Sequence, residues 1–205
     1  MAVETQHRMQ ESAPPVASAD QIADPAPLGL AAFATTTFIL STFNAGLLPA
    51  TLEAVVLPVA LFYGGIAQTL AGMWEFKKGN TFGAVAFTSY GAFWLSFAAL
   101  VKFTAGTLPP ADAHRGVGLF LLAWTIFTLY MTLASLRTTP VLIGVFVALS
   151  ITFLLLTVAE FGSNASMAKA GGWFGLLTAL LAWYASASAV SKATWGRTIL
   201  PNGSH

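Results

Sequence analysis

Hydroxyls, carboxamides and one phenol, set three and four residues apart in apolar surroundings, are the groups of this chain with chemistry to offer. Between Phe33 and Asn44 the sequence carries Thr35, Thr36, Thr37, Ser41, Thr42 and Asn44. Phe33, Thr36 or Thr37, Leu40 or Ser41, and Asn44 recur at helical steps, so a helix puts them on one face. No acid or base stands among them to activate a hydroxyl. They exchange hydrogen bonds, either between helices or with a polar solute passing along the face. Asn44 points to the second use, because an amide deep in lipid is costly without a partner. Gln68, set among Gly64, Gly65 and Gly72, needs a buried partner for the same reason, and Asn44 is one candidate. Tyr90 lies well inside its apolar run, where a phenol must hydrogen-bond to protein or to solute. It is the strongest single candidate.

Ionisable residues are nearly absent from the apolar runs. Glu53, Glu75, Lys102 and Glu160 fall at the ends of runs and read as interfacial anchors that reach the headgroups. The chain has no cysteine and three histidines, none of them inside an apolar run. No acid–base pair, nucleophile or metal cluster emerges, so the expectation is no enzyme, no metal and no cofactor. The net charge of +1, from basic residues scattered over loops, leaves no footprint for nucleic acid.

The elements that carry these groups follow from hydropathy. A hydrocarbon core about 30 Å thick takes roughly 20 apolar helical residues to cross. With 56% hydrophobic and 8% charged residues and a mean hydropathy of +0.73, the chain reads as all-α, a polytopic membrane protein with six transmembrane helices. The spans are expected over 28–48, 54–74, 81–104, 116–136, 140–161 and 171–191. Residues 1–25 are polar, with Glu4, Glu11, Pro14, Pro15 and Asp20, and read as a disordered cytoplasmic tail. Residues 26–201 make one six-helix transmembrane domain. Residues 202–205 make a short tail whose Gly203, Ser204 and His205 read as a cloning remnant. A cytoplasmic N-terminus places Arg8, Lys77, Lys78, Arg137, Lys192 and Arg197 inside, against Lys102, Arg115 and Lys169 outside. That excess follows the positive-inside rule, so both termini are expected in the cytoplasm of a multi-pass cell-membrane protein. The odd-numbered spans share a loose pattern of an aromatic beside small hydroxylic residues: Phe33, Phe87 and Phe146.

Four stretches together resemble the acetate uptake transporter family, the succinate–acetate permeases. They are Asp24-Pro25-Ala26-Pro27-Leu28-Gly29-Leu30; Phe62-Tyr63-Gly64-Gly65-Ile66-Ala67-Gln68; Glu75 to Gly83 continuing through Tyr90 to Trp94; and Gly196-Arg197-Thr198-Ile199-Leu200-Pro201. The resemblance implies six spans per protomer, a ring-shaped hexamer, and a path through each protomer for acetate and, in some members, succinate, with proton-coupled uptake. It maps the family's central narrowing to Phe33, Tyr90 and Leu149, and small-anion contacts to Thr36 and Asn44. The mouth motif falls on Asp24, Pro25, Pro27 and Gly29. Asp24 departs from the family's asparagine and adds a negative charge where anions are to be admitted.

A carboxylic acid with a pKa of roughly 4 to 4.5 is almost all anion at neutral pH. Moving that anion past an apolar ring requires donors in place of its water, and Thr36, Thr37, Asn44, Gln68 and Tyr90 are the groups available. Without a titratable residue at mid-membrane, proton coupling most simply means passage of the neutral acid. The reading of the residues also leaves open a channel for a neutral solute such as ammonia or urea, or a membrane sensor that moves nothing.

Overall fold

The computed structural model of the protein describes residues 22–203. The tail expected over 1–25 therefore lies mostly outside the described residues, as do Ser204 and His205.

Six helices long and apolar enough to cross a membrane follow one another: α1 Ala26–Asn44, α2 Ala50–Lys78, α3 Thr81–Thr107, α4 Ala113–Ser135, α5 Pro140–Gly162 and α6 Ala165–Trp195. They run alternately up and down, so each expected span has its counterpart. Local chemistry sets their ends. Asp24 Oδ1 accepts from the Ala26 N–H at 3.1 Å, ahead of a first turn that contains Pro27. Gly79, at φ +79°, closes α2 in the left-handed region that favours glycine. Asn80 then opens α3 by accepting from Gly83 N–H at 3.2 Å. Thr139 and Asn164 cap α5 and α6 in the same manner. α6 starts six residues before its expected Gly171 and reaches 31 residues, about 46 Å at 1.5 Å per residue. It outspans the hydrocarbon core.

α2 is not one regular helix. It starts as a 3-10 segment over Ala50–Val55 and widens to a π-helix over Ala60–Ala67 before continuing as an α-helix from Gln68. Segments of this kind are rare and recur at functional sites.

Small residues decide which helices approach closely. A Cβ at Gly64 would sit 2.5 Å from Thr36 Oγ1, and one at Gly29 would sit 2.6 Å from the Phe87 ring. Gly72 lies directly against Thr88, and Gly172 against the Ala45 backbone. These seams bring α1 to α2, α3 and α6, and α2 to α3, in the small-residue packing usual for membrane helices. Between α3 and α4 the backbones stay apart, and aromatic rings fill the gap. Phe93 packs on Phe120 at 5.7 Å and on Trp124 at 5.1 Å; Tyr90 packs on Phe127 at 5.3 Å. Tight seams on one side and bulky spacers on the other leave room inside the bundle.

Candidate functional site

The room takes the form of two cavities in line. One, of about 240 Å³, opens on the face opposite the chain termini; the other, of about 80 Å³, lies on the face of the termini. They are called here the distal and proximal cavities. Phe33 and Leu149 line both, and Tyr90 lines the proximal one.

These three side chains come from α1, α3 and α5, the odd-numbered helices. All are buried, with exposures of 5% for Phe33, 3% for Tyr90 and 3% for Leu149. None faces lipid. The Phe33 and Tyr90 rings lie 5.6 Å apart, and Tyr90 also meets Phe146 at 6.2 Å. The Tyr90 hydroxyl is shared with Thr128 Oγ1 of α4 at 3.0 Å, which satisfies the phenol within the protein and fixes its ring.

The distal cavity carries the hydrogen-bonding face expected on α1. Thr37, Ser41 and Asn44 line it. The Thr37 hydroxyl is buried with no hydrogen-bond partner, and so is the indole N–H of Trp94, another lining residue. Two buried groups able to donate therefore belong to side chains around this space. Thr152, Glu53 and Glu160 complete its polar lining.

Two expected contacts fall elsewhere. Thr36 is fully buried, donates to the Ala32 carbonyl at 2.9 Å and packs on Gly64, so it lines neither cavity. Gln68 is also buried away from both, and neither amide atom has a hydrogen-bond partner. The anticipated Asn44–Gln68 bond is not formed. The two residues sit at different heights, one at the distal end of α1 and the other midway along α2.

At the proximal mouth, Asp24 also accepts from Lys78 Nζ at 2.6 Å. The negative charge that its departure from asparagine introduces is thus paired with a cation. Pro25 precedes α1, Pro27 accepts from Ser186 Oγ at 2.7 Å, and Gly29 lets the Phe87 ring lie flat on α1. Asn80 and Gly83 line the cavity just inside. Glu75 lies next to Gly83 and is fully buried, rather than an anchor reaching headgroups.

Sequence reasoning missed the inward aim of Glu53 and Glu160, the burial of Glu75 and the part of Thr128. A charge near a span end looks the same whether it turns to water or inward, so no signal separated these cases. Thr128 had one: α4 places Thr125, Thr128 and Thr132 on a face, and all three hydrogen-bond to neighbouring helices.

Comparison with known proteins places the chain among similar ones. Residues 7–202 match the sequence profile described as the GPR1/FUN34/yaaH family. The succinate-acetate/proton symporter SatP of Escherichia coli K12 is 41% identical over 183 residues, which cover 89% of this chain and 96% of SatP. The ammonia transport outward protein 2 of Saccharomyces cerevisiae is 41% identical over 169 residues, 80% of this chain and 60% of the yeast protein. A solved structure of the bacterial acetate channel SatP superposes with a TM-score of 0.83 at 41% identity, covering 89% of this chain and all of that one.

Proposed function

The chain belongs to the GPR1/FUN34/yaaH family, and from that premise we propose that it moves acetate and related small carboxylates across a membrane. The observation that carries the reading is the meeting of two cavities at Phe33 and Leu149, with Tyr90 pinned beside them. A path blocked only by three bulky uncharged side chains selects by size and by expelling water.

In this reading the solute enters the distal cavity, where the Thr37 hydroxyl and Asn44 amide replace water at its carboxyl group. It then passes the ring of Phe33, Tyr90 and Leu149 into the proximal cavity. No charge lines the narrowing, so the neutral acid meets a far lower barrier than the anion, which cannot be desolvated cheaply. Its proton travels with it. Succinate fits the same route as a larger acid. The basic residues favour cytoplasmic termini, which makes the distal cavity the outer one. A ring of six copies is the assembly that fits the family resemblance.

The name of the yeast relative keeps a second reading in view, in which the same uncharged lining passes ammonia. Uptake of labelled acetate into proteoliposomes, with ammonium and urea as competitors, tests both. Saturable acetate uptake that neither competitor reduces supports the first reading. Absent acetate uptake together with rapid ammonia flux establishes the second instead.

A further inference from the structure

Of the described residues that line the proximal cavity, only Tyr90 and Asn80 carry a polar side chain. The Tyr90 hydroxyl is taken by Thr128 at 3.0 Å. Asn80 stands about 15 Å along α3 from Tyr90, at 1.5 Å per residue, beside Ala26 and Leu142 from the first turns of α1 and α5. It is half-buried and so keeps surface at this mouth. A carboxyl group that has passed Phe33 and Leu149 therefore meets one free polar side chain on its way out.

Capping does not account for the whole of this residue. Asn80 Oδ1 accepts from Gly83 N–H at 3.2 Å, a task that serine, threonine or aspartate performs as well. None of those side chains brings an amide nitrogen. The Gly83 N–H also sets which way the carboxamide turns. With the oxygen toward the helix, Nδ2 is left with two hydrogens to give.

Behind the cavity wall a buried group stands beside that nitrogen. Glu75 has no exposed surface, and neither of its carboxyl oxygens makes a well-formed hydrogen bond. A Cβ placed on Gly83 would lie 2.6 Å from Asn80 Nδ2 and 2.9 Å from Glu75 Cδ, so amide and carboxyl meet in the space that glycine leaves. The charges near Glu75 are engaged with each other, since Lys78 holds Asp24 at 2.6 Å. A buried carboxyl is costly without a donor, and the Asn80 amide is the donor at hand.

We infer that Asn80 is a docking residue of the proximal cavity, its Nδ2 donating to a carboxyl oxygen of the solute, and that Glu75 is the positioning residue that holds the amide by its second hydrogen. The inference rests on the acetate reading and gives the route a station beyond the narrowing, where the donors Thr37 and Asn44 no longer reach. The neutral acid and its anion both present such an oxygen, so this docking is indifferent to charge.

The test uses proteoliposomes with the face of the termini outward and records uptake of labelled acetate against its concentration. N80D and N80S keep a capping oxygen and remove the amide nitrogen. Both are expected to raise the half-saturation concentration about fivefold, the effect of one net hydrogen bond, with no loss of maximal rate. E75L removes the acceptor behind the amide and is expected to do the same, whereas E75Q keeps an acceptor in place and is expected to match the wild type. Should E75L fail to assemble, the Asn80 variants and E75Q still decide. An unmoved half-saturation concentration in both Asn80 variants, or a lower maximal rate alone, makes Asn80 a cap only and overturns the docking role. E75L at wild-type values, or E75Q as impaired as the Asn80 variants, overturns the positioning role. Wild-type protein that moves no acetate overturns the acetate reading itself, a result distinct from normal wild-type uptake with unmoved variants.

Discussion

At the scale of single residues, the proposed narrowing depends on rings held in place from behind. Phe33 has no hydrogen bond to fix it and relies on Tyr90 at 5.6 Å, whereas Tyr90 is anchored to Thr128 at 3.0 Å. Phe33→Ala therefore opens the ring without disturbing its anchor. It is expected to increase lactate and succinate flux relative to acetate, read by competitive uptake; unchanged selectivity would count against the three-residue ring. Thr128→Val removes the anchor at a residue that itself lines neither cavity. Hydrogen bonds between membrane helices average about 0.6 kcal/mol, so stability should fall by less than about 2 kcal/mol. Selectivity should loosen nonetheless, and Thr128→Ser should restore it. Loss of stability with intact selectivity would make Thr128 a packing residue only. The motifs around Phe33 and Tyr90 singled both out, and both side chains lie beside the cavities. Leu149 rested on a weaker match, and it stands where the two cavities meet.

At the scale of elements, hydropathy carried far and side-chain direction did not. All six spans were visible as apolar runs, because a bilayer imposes a length that composition must meet. The π-helix over Ala60–Ala67 was invisible, since its residues are as apolar as any regular helix. Thr36 and Thr37 show the same limit: adjacent and alike in type, one packs on Gly64 and the other lines the distal cavity. A one-residue ambiguity on a helix turns a side chain by about 100°, and only the packed bundle resolves it. The glycine seams give the sharpest element-scale prediction. Gly72→Leu places a side chain where Thr88 already lies, and overpacking of this kind costs typically 1–3 kcal/mol or more. A lowered Tm in detergent checks it, with Gly79→Ala, whose Cβ would meet nothing within 4 Å, as a milder comparison that bears only the left-handed backbone cost.

At the scale of the whole molecule, charge has been kept to the two ends and withheld from the middle. The Asp24–Lys78 pair sits at one mouth and Glu53 and Glu160 at the other, while Phe33, Tyr90 and Leu149 separate them. Asp24→Asn should change stability by less than about 1 kcal/mol, because both partners are well exposed and a surface pair contributes little. It leaves Lys78 unpaired at the proximal mouth, and the measurable consequence is a changed rate of acetate exit rather than a changed melting temperature. The central claim concerns the middle, where an uncharged corridor passes the acid with its proton. The direct test is a proteoliposome experiment that records acetate and proton movement together at several pH values. The account predicts one proton for each acetate, no net current, and uptake that falls about tenfold per pH unit above the acid's pKa. Acetate current without accompanying proton movement would contradict it.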